Sequence, residues 1–569
     1  MRSHSFFSHR SNRLRIAIVL IGAGVAWISG PPGRAAAPRF YADDPIWRDP
    51  ESQDASKTQS AKLSDQYDLV ENSFLGAGDK TDRHAVNVNT VGEVPDSSWF
   101  TNRTGPLQKS PADPAALITG PDTAHGPAPG MWTLISRKSE GVTPGFTIRD
   151  SAGEIYWIKF DPVEFPEMAS GAEVISTKFF HAFGYHVAEN YLATLNLDNL
   201  QIAPDATIKD EDGRPRRFTQ EDLDQILERA ARRPDGSYRV LASRNIAGRP
   251  LGPFRYHGTR SDDPNDIVPH EHRRELRALR VFGAWTNLTD LKAGNTLDTL
   301  ITENGRAVIK HVLQDVGSTF GMANRRDEWD LGWEYFFQAD TSKRRFYTFG
   351  FGLSPWQTVP YKEYPSVGRI EGKQFDPRTW AAQTPTTAYM ELRADDAFWA
   401  ARRVMAFSDD MIRAVVHTGQ FSDPVAERHL GDVIIERRDV IGRTYLPAIN
   451  PIVNPRLDAS NVLSFDNEAV SFGFAEAPAA YRARWSRFDN ATGATEPVGE
   501  TRGQDERLSA PAGLPTALDS YLEVDIAAES SQHPSWAEPI RTFFRRTSQG
   551  WTLVGLERLP EKISPDSPR

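Results

Sequence analysis

Two apolar runs, "NTLDTLIT" (295–302) and "RAVIKHVLQD" (306–315), are joined by Glu303-Asn304-Gly305. Asn-Gly accepts positive φ at both central turn positions, so the runs read as an antiparallel hairpin. Its strands run out and back, which returns Asp315 to the side of Asn295 although twenty residues separate them in sequence. Any fold assigned to this chain has to put those two polar groups together.

What precedes the hairpin gives the pair a context. "MWTLISRK" and "GFTIRD" read as strands around the turn-rich "SEGVTPG", and "SAGEIYWIKF" as a further strand with Lys159 near its end. "EMASGAEVISTKFFHAF" has helical spacing through Ala172, Ile175 and Phe179, with Gly184 as its stop. "HVAENYLATL" and "SYRVLAS" read as strands, and Thr219 and Asp222 have capping-box spacing ahead of "LDQILERAAR". "HEHRRELRALRVFGAWTN" carries a helical stripe of Leu276, Leu279, Phe282 and Trp285, which is a core face. Residues 390–447 read as mostly helical. Past "NPIVNP" the texture turns to short runs ("VLSF", "AVSFGF", "YRARWSRF", "YLEVDI", "IRTFFRRT", "WTLVGLER") expected to form a small all-β domain.

In chain order the middle of the sequence therefore presents a turn-rich loop, a strand Lys, a helical Glu, Asp290-Leu-Lys292-x-x-Asn295 after a long helix, and "QDVGSTFG" with Asp315. Phosphoryl transfer needs phosphates held, a metal placed and an acceptor hydroxyl oriented. Lys159 suits the phosphates, and Glu173 suits holding its ammonium. Asp290 suits the acceptor hydroxyl, and Asn295 and Asp315 offer the hard oxygen that Mg²⁺ prefers. Each residue alone has a plainer explanation: Lys159 as a solvated edge residue, Glu173 as an exposed helix charge, and Asp290 to Asn295 or Asp315 as polar turns.

"DLKAGN" (290–295), "DVG" (315–317) and "WIKF" (157–160) together resemble the protein-kinase-like superfamily, in its atypical HipA-type and CotH-type form. The resemblance covers roughly 130–445. It implies an α+β, bilobal kinase-like domain with a β-rich N-lobe and a helical C-lobe. It further implies a Lys159–Glu173 ion pair, Asp290 as catalytic base, Lys292 as a γ-phosphate contact, Asn295 and Asp315 as metal ligands, and ATP or another nucleotide with Mg²⁺ as cofactors. Gly141 and Gly145, in the loop before Lys159, would lie against the phosphates. The chain departs from the family pattern in Leu288-Thr289 before the Asp, in Val316, in a loop that is not G-x-G-x-x-G, and in lacking Ala-Pro-Glu.

Composition narrows the setting. A net charge of −10 offers no basic field for nucleic acid, and the absence of cysteine excludes disulfides, thiolate metal sites and thiol catalysis. "MRSHSFFSHRSNRLR", the apolar run 16–30 and "GRAAAP" read as a signal peptide or N-terminal anchor over 1–37. Export to the periplasm or beyond is expected, with cell-envelope association and a protein or small-molecule acceptor. The organisation expected is 38–125 irregular and wrapping, 126–450 kinase-like, and 451–560 a β-sandwich-like domain. Two further readings stand beside the enzyme: a catalytically inactive kinase-like envelope module, and a scaffold whose β tail binds polysaccharide. His270 and His272 lack the i, i+4 spacing of a zinc pair, and "DDPND" (262–266) lacks the Gly and distal Glu of a calcium loop. Trp485 and Trp551 are expected in the core of the tail.

Overall fold

A computed structural model describes residues 37–104, 114–137, 143–209, 214–322, 331–349, 351 and 355–559. The leader and Gly141 lie outside the described residues. The chain is mixed α+β, with four sheets among the described residues.

The first sheet has seven strands in the order Asn190–Leu195, Tyr238–Arg244, Ile155–Phe160, Gly145–Arg149, Trp132–Arg137, Leu200–Lys209 and Pro215–Arg217. Its pairings are antiparallel except that between Trp132–Arg137 and Leu200–Lys209. Phe146, Ile148, Ile158, Phe160 and Val240 build its own apolar cluster. Helix Met168–Phe183 packs beside it. Every residue of that helix except His181 is buried, the polar Glu173 and Ser176 included. Phe179, Phe180 and Phe183 are each fully buried, worth roughly 1.5–3 kcal/mol apiece.

The Asn-Gly hairpin forms as expected. Thr296–Glu303 pairs with Arg306–Leu313 in unbroken register, with Asn304 and Gly305 both at positive φ. It joins Arg249–Gly252 and the short His186–Val187 in a four-stranded sheet. Arg249–Gly252 contains Pro250 and Gly252. It forms a strand because it lies at the sheet edge, where a missing N–H costs no ladder bond.

Helix Arg274–Thr286 follows a 3-10 turn at His270–His272 and ends at Asn287, in left-handed geometry. Its buried Arg274 and Arg277 pair with Asp395 and Asp396 at the start of helix Ala394–Met405. Helices Asp409–His417 and Pro424–Tyr445 complete this region. His270 bonds Asp266 at 2.8 Å, and His272 bonds Asp79 and Arg277, so "PHEH" and "DDPND" serve internal hydrogen bonding.

The C-terminal strands form an antiparallel five-stranded sheet, ordered Thr495–Gly503, Ala480–Phe488, Tyr521–Glu529, Ile540–Thr547 and Gly550–Glu557. A three-stranded one is ordered Ile452–Leu457, Val462–Asn467 and Arg507–Ser509. "AVSFGF" is not a strand. Asn467 caps a short helix, Glu468–Ser471, by accepting from the Val470 N–H, and this polar cap overrides the β propensity of Val and Phe. Thr495–Gly503, poor in β-formers, is an exposed edge strand. Trp485 is buried and Trp551 half-buried. One continuous apolar cluster runs from Phe179 and Trp285 through Phe407 and Ile452 to Trp485 and Phe544.

Candidate functional site

The strand Ile155–Phe160 alternates its side chains, and Lys159 leaves the sheet on the face where helix Met168–Phe183 presents Glu173. Lys159 Nζ lies 2.7 Å from both Glu173 carboxylate oxygens and 3.0 Å from Asp315 Oδ2. Burial alone would depress the ammonium; the charges of Asp315 and Glu173 outweigh it and hold Lys159 above its ordinary value. Glu173 is almost fully enclosed, whereas a third of the Asp315 side chain stays open to solvent.

Asp315 is fixed from three directions. Its Oδ1 accepts from the Gly317 N–H at 3.0 Å, its own N–H donates to the Asn295 carbonyl at 3.2 Å, and the Ser176 hydroxyl holds the next carbonyl, Val316 O, at 2.7 Å. Ser176 sits one turn beyond Glu173, so a single helix positions both the Lys partner and the Asp315 segment. Gly317 has to be small: a Cβ there would stand 2.8 Å from Glu173 Oε2.

The loop from Asp290 to Asn295 hangs on buried Leu288, Leu291 and Ala293, and the Tyr389 hydroxyl donates to the Leu291 carbonyl. Asn295 Nδ2 donates to the Asp290 carbonyl at 2.6 Å, which leaves Oδ1 as the atom its side chain can offer a cation. The Asp290 carboxyl is raised above its ordinary value, first by burial. Lys292 and Asn295 oppose that shift, while Asp315 and Asp65 add to it. Lys292 lies 3.6 Å from Asp290 and 3.2 Å from Asp65.

Asp65 also reaches this loop, and nothing in its local sequence marks it. It opens helix Asp65–Val70 in the N-terminal segment, more than two hundred residues from the loop it touches. A Cβ on Gly294 would fall 2.4 Å from the Asp65 carboxylate, and Asp68 accepts from the Ala293 N–H at 3.3 Å. Gly145 pairs with Lys159 across the sheet, and a Cβ there would strike the Ile158 carbonyl, so strand packing accounts for its size.

The donor set suits a hard divalent cation. Asp290 and Asp315 repel one another electrostatically, an arrangement a divalent cation would relieve, and the oxygens available are carboxylate and carboxamide. Among the described residues no cluster of three or more His, Cys, Asp or Glu forms a metal site.

No protein-family model and no curated protein matches the chain. Solved structures similar to it include two kinases. One is the proinflammatory kinase CtkA of Helicobacter pylori, at 14% identity and a TM-score of 0.27, covering 53% of this chain and 92% of that one. The other is the Golgi casein kinase, at 8% identity and a TM-score of 0.26, covering 71% and 97%. At these scores the likeness carries no argument, and the functional reading stands on the residues.

Proposed function

We propose that this chain binds a magnesium nucleotide and transfers a phosphoryl (or nucleotidyl) group to a hydroxyl on a protein or small molecule. The observation that carries the proposal is the meeting of Lys159, Glu173 and Asp315 within 3.0 Å, from positions up to 156 residues apart, beside the Asp290–Asn295 loop. Lys159 would hold the phosphates, with Glu173 fixing its ammonium. Asp315 and Asn295 Oδ1 would hold the metal, which supplies charge neutralisation. Asp290, its carboxyl raised by burial, would accept the hydroxyl proton, and Lys292 would contact the γ-phosphate. The leader-like residues 1–37 support a setting in or beyond the cell envelope. No helix among the described residues is long and apolar enough to cross a membrane.

The test is thermal stability with and without ATP and Mg²⁺, beside Asp315→Ala. Saturation at 100 times the dissociation constant should add roughly 2.7 kcal/mol. A magnesium-dependent rise in melting temperature, absent in the variant, supports the site; transfer of label from γ-labelled ATP then supports catalysis. No shift with any nucleotide would overturn the reading.

One observation favours the alternative, an inactive kinase-like envelope module. Lys292 is already engaged by Asp65 of the chain's own N-terminal segment, so the acceptor side of the loop carries an internal acidic group.

A further inference from the structure

A groove of about 670 Å³ lies away from the Lys159 cluster, between the edge of the seven-stranded sheet and the four-stranded sheet. Its walls bring together Arg103, His181, His186 and Lys310, with Arg244 at one rim. His186 and Lys310 also line an adjoining cavity of about 280 Å³.

Arg244 is neutralised by Glu154 and Glu189 at 3.0 and 3.4 Å. Arg103 spends Nη1 on the carbonyls of His181 and Tyr185, at the end of helix Met168–Phe183, and brings Nη2 to 3.5 Å from His186 Nδ1. Neither Arg103 nor Lys310 forms an ion pair with a carboxylate among the described residues; Asp96 and Glu303 act on them only from a distance. Lys310 is half-buried on the hairpin strand, opposite Thr299. A half-buried ammonium without a counter-ion is costly unless something else supplies the negative charge.

The histidines sharpen the case. His186 Nε2 is buried without a well-formed hydrogen bond, although the Ser97 backbone acts on the ring as an acceptor. Burial, and then the neighbouring cations, hold His181 at about 3 and His186 well below its ordinary value, so both enter the site as neutral rings. Two cations and two neutral imidazoles thus line the groove, and its two carboxylates, Glu154 and Glu189, are taken up by Arg244. That balance admits a compact oxyanion and disfavours a long polyanion.

We propose that the Arg103–His181–His186–Lys310 part of this groove is a binding site for a phosphate group, free or carried on a small ligand. The site is separate from the proposed nucleotide site and adjoins the helix that carries Glu173. Lys310 supplies the unpaired charge and Arg103 Nη2 a second cationic donor, with the His181 and His186 rings lining the groove beside them.

The test is a titration of the full chain with inorganic phosphate at constant ionic strength, using chloride as the control and reading melting temperature and heat of binding. Glucose 6-phosphate and acetate serve as comparison ligands. The expected result is saturable phosphate binding that persists in Asp315→Ala, weakens about tenfold or more in Lys310→Gln, and is restored by Lys310→Arg. Tighter binding of the sugar phosphate would identify a carried phosphate, and equal or weaker binding a free one; both support the site. Acetate binding as tightly as phosphate would overturn the ligand class. Equal binding by Lys310→Gln, loss in Asp315→Ala, or no saturable effect up to about 10 mM would overturn the site. Melting of Lys310→Gln without phosphate controls for folding.

Discussion

Lys159 is held by two carboxylates, and its removal strands one of them. Glu173 is nearly enclosed, so Lys159→Met takes from its buried carboxylate the ammonium that lies 2.7 Å away. Breaking such a pair costs about 3–5 kcal/mol, an upper figure here because Asp315 is partly solvated. Urea denaturation should show that loss, and Glu173→Gln in the same background should recover part of it. A smaller group matters as well. Gly317→Ala drives a Cβ toward Glu173 Oε2, and the expected result is loss of the magnesium-nucleotide stabilisation with the protein still folded, read by the same thermal assay. His181 and His186 set a pH response. Their folded values lie below the ordinary 6.5, so the unfolded chain binds protons that the folded chain refuses once the pH falls through that value. Stability is therefore complete above it and declines below it. Melting temperature should drop between about pH 7 and pH 5, less steeply in His181→Asn. The paired His84, raised first by its bond to Asp395, works in the opposite sense, and His84→Gln separates the two.

At the scale of elements, the hairpin and helix Met168–Phe183 do the positioning. Ser176 ties the helix to the Asp315 segment. Ser176→Ala leaves the Val316 carbonyl without its donor in a buried site, at a cost of about 1–3 kcal/mol, and should weaken nucleotide binding without touching a proposed ligand. Calorimetry on that variant separates the stability effect from the binding effect. These elements were legible in the sequence because each carries a local signal. Asn304-Gly305 announces its turn, and Thr219 and Asp222 their capping box, while the order of Lys159, Glu173, Asp290, Asn295 and Asp315 is what makes them candidates for one site. Where signal and context compete, the sequence misleads. Val470 and Phe472 favour a strand, yet Asn467 caps a helix. Pro250 argues against a strand, yet the edge tolerates it. Asp65 could not have been found by any periodicity, since its contact with Lys292 joins segments distant in the chain.

Across the whole molecule, the N-terminal segment and the C-terminal sheets are bound into the same interior as the central helices. Trp99 stacks on His311 with ring centroids 3.5 Å apart, Glu93 meets Trp399 and Arg402, and Phe40 packs between Phe488 and Phe543. The apolar cluster around Trp285 continues without a break into the tail. A chain cut near residue 450 should therefore lose solubility or melt well below the parent, and a fragment melting at the parent temperature would show the interior to be divisible. Trp99→Ala should cost about 3–5 kcal/mol despite its distance from the Lys159 cluster, and chemical denaturation reads it directly.

Helix Met168–Phe183 is buried along its whole length save His181. A switch needs somewhere to go. An arm that touches solvent can swing out and take its carboxylate with it, but this one would have to drag Phe179, Phe180 and Phe183 through the middle of the protein. The helix beneath Glu173 is therefore held in place by its aromatic anchors for as long as the chain stays folded. Control that works by swinging this helix away would have to break the interior first.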